Sequence, residues 1–79
     1  MMDSKQLALI YLMEEANQMA SVCTKNIHSL HKNKTVTELE KQMGILFSAM
    51  REIAEEFKVD EGKVQGYAEK EYERRLNDR

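Results

Sequence analysis

Glu14 and Glu15 stand side by side in the run Tyr11-Leu12-Met13-Glu14-Glu15-Ala16-Asn17-Gln18-Met19-Ala20, where an acidic pair interrupts an apolar helical pattern. Carboxylates gathered from two neighbouring helices are a donor set that magnesium takes, because a hard cation prefers oxygen and leaves positions for water and phosphate oxygens. The chemistry at stake is metal-assisted phosphate hydrolysis. Glu15 lies one helical step from Leu12 and Met19, at the shoulder of an apolar face. The competing reading is a pair of solvated helix residues.

Other residues with chemical potential are sparser. His28 and His31 have the i,i+3 spacing that two ligands of a transition metal need, with Cys23 more than a turn earlier, but no fourth ligand accompanies them. As cations near a helix end they also suit the negative pole of the helix dipole. Asn33-Lys34-Thr35 matches a glycosylation acceptor and reads as a turn. Met13, Met19, Met43 and Met50 could form an adaptable binding face or simply fill a core. The sequence holds neither a glycine-rich phosphate loop nor a recognisable nucleophile with its base.

The elements that must position these residues are helices. Proline is absent and the 79 residues contain three glycines, so long helices meet few breakers. Asp3 with Gln6 has the spacing of a capping box and Met2 with Leu7 that of a hydrophobic staple. A first helix over about 4–31 carries an apolar stripe at Leu9, Met13, Ala16, Ala20, Cys23, Ile27 and Leu30, widened by Leu12, Met19 and Val22. Asn33 is the expected left-handed stop. A second helix over about 37–58, capped at Thr37 with Glu40 or Thr35 with Glu38, carries Leu39, Met43, Leu46, Met50, Ile53 and Phe57. A third, over 61–76 and capped by Asp60 with Val59 and Val64 as staple, carries Val64, Ala68, Tyr72 and Leu76, with Glu71 and Arg75 as an i,i+4 pair and a fraying tail from Asn77.

These features predict an all-α fold in one helical domain, residues 1–79: a three-helix chain with a long antiparallel hairpin, completing a four-helix-type bundle by oligomerisation. At 79 residues a single core supplies only about 3–5 kcal/mol without a staple or partner. Cys23 on the apolar stripe is read as a small buried hydrophobe in a reducing compartment. The net charge of −2 with interleaved signs argues against nucleic-acid binding, and no apolar run is long enough for membrane insertion. A cytoplasmic location is expected.

The order of elements, with Glu14-Glu15 on one helix and Gln42-Met43-Gly44-Ile45-Leu46 on the next, resembles the MazG-like all-α nucleoside triphosphate pyrophosphohydrolases. The resemblance runs from about Leu7 to Arg75 and includes Phe57-Lys58-Val59-Asp60-Glu61, similar to that family's turn into a closing basic helix. It implies an EExxE motif and an ExxD motif holding magnesium against phosphates. Carried over by position, Glu14 and Glu15 match, Gln18 stands at the third acid, and Gln42 and Ile45 stand where ExxD has its acids. The expected site is therefore a remnant, Glu14, Glu15, Gln18, Gln42 and Ile45, with no cofactor and no catalytic residue.

The leading expectation is a non-catalytic protein-binding or regulatory module, with a looser similarity to the small cytoplasmic phage lysis-inhibition accessory proteins that act as antiholins. Its partner or self-association face is expected at Leu12, Met19, Val22, Met43, Met50 and Phe57. One alternative is a magnesium-dependent pyrophosphohydrolase using Glu14, Glu15, Glu38 and Glu40, against which Glu38 and Glu40 point to different sides of their helix. Another is a purely structural homodimer.

Overall fold

The computed structural model describes residues 1–28 and 33–78. They form α1 (Ser4–Asn26), α2 (Asn33–Phe57) and α3 (Glu61–Asn77), with no strand among the described residues. The start of α1 is the expected capping box: Gln6 N–H donates to Asp3 Oδ1 at 2.8 Å and Asp3 N–H donates to Gln6 Oε1 at 3.0 Å. Such a cap contributes about 1 kcal/mol.

The far end of α1 differs from expectation. The helix stops at Asn26, with Ile27 as its cap, and residues 29–31 of the expected extension lie outside the described residues. At this end the Asn26 side chain turns into the seam. Its amide donates back to Val22 O at 2.9 Å and across to Glu38 Oε2 at 2.7 Å, while its Oδ1 accepts from Thr35 Oγ1 at 3.1 Å. A buried asparagine used this way competes with continued helix. Correspondingly, α2 opens at Asn33, so Asn33 is not a left-handed stop, and Thr35 and Thr37 lie inside α2 instead of capping it.

The hairpin is antiparallel, with α1 packed along α2. Its shielded residues recur at Ala8, Leu12, Glu15, Met19, Val22 and Asn26 on α1, and at Thr35, Leu39, Gln42, Leu46, Ala49, Ile53 and Glu56 on α2. Steps alternate between four and three in both helices, as in coiled-coil packing. Polar contacts punctuate this seam: Asn26 with Thr35 at the closed end, Glu15 with Gln42 midway, and Ser4 Oγ donating to Glu56 Oε2 at 2.9 Å at the open end. Only Ala8 and Ala49 are fully shielded apolar residues among those described, each 0% exposed.

At the end of α2, Lys58 adopts a left-handed φ of 53° and Val59 N–H reaches back to Ala54 O at 3.0 Å, the Schellman pattern that satisfies terminal carbonyls. Asp60 then caps α3 by accepting from Lys63 N–H at 3.1 Å. Glu71 pairs with Arg74 and with Arg75, and Arg74 also reaches Asp78; these contacts carry α3 through Asn77. No residue of α3 is buried. The radius of gyration is 15.1 Å, against about 12 Å for a compact chain of this length.

Candidate functional site

The motif residues on α1 and α2 meet the seam in only one place. Gln42, buried at 6% exposure, donates from Nε2 to Glu15 Oε1 at 3.3 Å and to the Glu15 main-chain oxygen at 3.2 Å. The amide takes the position where the resemblance implies a second acid, and it donates to one oxygen of the Glu15 carboxylate. Glu14 and Gln18 are exposed on the hairpin's polar side. Ile45 is 42% exposed, so its carbon side chain fills no gap in the seam. No group of three or more histidine, cysteine, aspartate or glutamate residues is placed to hold a metal among the described residues. His28 is exposed, and His31 lies outside the described residues.

Gln18, Ser21 and Lys25 of α1 share a shallow groove with Glu38, Lys41 and Gln42 of α2. Lys25 Nζ sits 3.4 Å from Glu38 Oε1. The Asn26 amide hydrogen bond, reinforced by Lys25 and Lys34, holds the Glu38 carboxyl below its ordinary value of 4.5. With both signs of charge lining it, the groove favours neither an anion nor a cation.

That groove fixes which side of the hairpin is polar, and so identifies the other. The apolar stripe at Leu9, Met13, Ala16, Ala20, Cys23 and Ile27 is the α1 seam displaced by one residue, which turns it ~100° around the helix, away from the groove. In α2 the seam displaced by one residue reads Val36, Glu40, Met43, Phe47, Met50, Ala54 and Phe57. In an antiparallel pair these two displaced stripes fall on the same side. Here the expectation for α1 is corrected: the stripe does not face α2 but open space, with Leu9 46%, Met13 65% and Ile27 59% exposed. Cys23 is exposed, not buried.

The expected association face divides accordingly. Leu12, Met19 and Val22 are half-buried in the intrachain seam, whereas Met43, Met50 and Phe57 lie on the open face, each more than two-fifths exposed. Phe47, 60% exposed, and Val36 belong to this face and to neither stripe read from the sequence. The signal that finds them is the second heptad run one residue out of phase with the first. Beyond the open face, α2 and α3 form a corner lined by Phe47, Met50, Ile53, Ala54, Val59 and Val64.

No helix among the described residues is long and apolar enough to cross a membrane. Compared with protein-family models, curated proteins and solved structures, the chain matches none.

Proposed function

We propose that the chain is a non-catalytic helical interaction module, regulatory in character, that works by binding protein through the open face of its hairpin. The observation that carries this reading is the placement of both displaced stripes on one side of the hairpin, where Met13, Met43, Phe47, Met50 and Phe57 are exposed. Contiguous apolar surface of this kind marks an interaction site. The interleaved charges of the polar side support a protein partner over nucleic acid.

The Glu15–Gln42 hydrogen bond supports the non-catalytic half of the proposal, since a neutral amide donor stands beside Glu15 where magnesium would need a second carboxylate. Purified chain incubated with magnesium and each common nucleoside triphosphate is expected to release no pyrophosphate. Release that disappears in Glu15→Gln would overturn this half. For the binding half, the intact chain is expected to hold a protein, its own kind or another, that Met50→Asp no longer holds; equal retention by both would count against it.

A further inference from the structure

The third helix carries an apolar face of its own that packs on almost nothing. Tyr67 is 73% and Tyr72 64% exposed, no residue of α3 is buried, and the side-chain hydrogen bonds of α3 among the described residues all stay within α3 and its caps. We infer that α3 is a strap: it pivots at residues 58–60 and closes along the groove between α1 and α2 on the open face, where it competes with a protein partner. This rests on the binding reading above and gives that face its regulation.

The shape leaves room for the closure. The chain measures 42 × 33 × 16 Å, whereas three helices packed side by side span only about 15 Å in both directions across their length. The 33 Å dimension is α3 projecting from the hairpin. Exposed surface agrees, at 6860 Å² against about 4,900 Å² for a compact chain of this mass. Closure lowers it by covering the α3 face and the open face together.

Register matches the two faces. A three-residue connection suffices for an antiparallel helix pair, and folding back sets residues equally far from the turn level with each other. Ala68 then stands level with Met50, Tyr72 with Phe47 and Leu76 with Met43, each to within one residue. The apolar run of the α2 stripe ends at Glu40, which lies beyond the reach of α3.

Direction matches as well. Glu61, Val64 and Gln65 already face Phe47, Met50 and Ala54 across the corner, and Ala68 and Tyr72 follow Val64 in steps of four on the same side of α3. Narrowing the corner therefore brings the two apolar faces together without turning α3 about its axis. The joint permits this because each helix end is satisfied locally: Val59 N–H bonds Ala54 O at the end of α2, and Asp60 caps α3.

The test is disulfide trapping in the full chain carrying Cys23→Ser, Met43→Cys and Leu76→Cys. Met43 and Leu76 are both exposed, so the hairpin does not depend on them. Oxidation is expected to join the two cysteines within one chain at least ~10-fold faster than it joins Leu76→Cys to Lys41→Cys, which stands level with Met43 on the polar side. The trapped chain should bind the apolar dye 1-anilinonaphthalene-8-sulfonate at least ~5-fold more weakly than the same chain reduced. Equal rates for the two pairs, a disulfide that links two chains, or unchanged dye binding overturns the strap. Without any added cysteine, X-ray scattering should give the unsubstituted chain a smaller radius of gyration than Met50→Asp, in which closure would bury a carboxylate; equal radii overturn it too. A chain that closes yet holds no protein keeps the strap and removes the binding reading, whereas one that holds a protein and never closes removes the strap alone.

Discussion

Asn26 and Gln42 show how single amides decide this structure. Each is nearly buried, each has its side-chain donors or acceptor engaged across the seam, and each loses those bonds if replaced by an apolar residue. Glu38 reports on the first of them. Its carboxyl is lowered from 4.5 by the Asn26 hydrogen bond and then by Lys25, so the stability it contributes is fully present above the unfolded value and is lost as pH falls through the lower folded one. The thermal midpoint is therefore expected to hold steady above about pH 5 and to fall below it. Glu38→Gln should flatten part of that fall, leaving the part due to Glu71, which Arg74 and Arg75 hold at about 2. A titration of helical circular dichroism with both chains checks this; identical acid limbs would remove Glu38 from the account.

At the scale of elements, the hairpin is specified twice, by apolar heptads and by polar contacts at its two ends and middle. The polar contacts resist register slips, because sliding α2 by one residue would strand Gln42 and Asn26 without partners. The joint between α2 and α3 is less well optimised. Lys58 holds a positive φ that glycine adopts without steric cost and other L-residues do not. Lys58→Gly is expected to stabilise the chain by about 1 kcal/mol, read as a shift in urea midpoint at unchanged slope. A destabilised variant would mean that the lysine side chain has a role in the joint.

At the scale of the whole molecule, the two sides of the hairpin differ, and α3 approaches the apolar one only at the corner with Phe47, Met50 and Ala54. This asymmetry predicts an outcome no single contact does. Lysine placed at Gln18, Ser21 or Ser48, all exposed on the polar side, should leave the thermal midpoint nearly unchanged, within about 0.5 kcal/mol of the unsubstituted chain. Lysine at Met43 or Phe47 should lower it by several times as much. If the two sets behave alike, the open face is solvated in the purified chain and any partner must be a different protein.

The sequence by itself determined the helices, because capping signals at Asp3 and Asp60, the lack of proline and sustained heptad spacing act locally. It also contained the motif positions, Glu15 and Gln42 among them, that the fold brings into one hydrogen bond. What it left open was which of two overlapping stripes each helix turns toward the other. Leu9, Met13 and Ala16 are as apolar as Ala8, Leu12 and Met19, and a one-residue displacement separates them, so periodicity alone cannot choose. The tertiary structure chose, by pairing Asn26 with Thr35 and Gln42 with Glu15: buried polar groups must find partners, and only one register supplies them. That choice turns the Leu9, Met13 and Ala16 stripe outward.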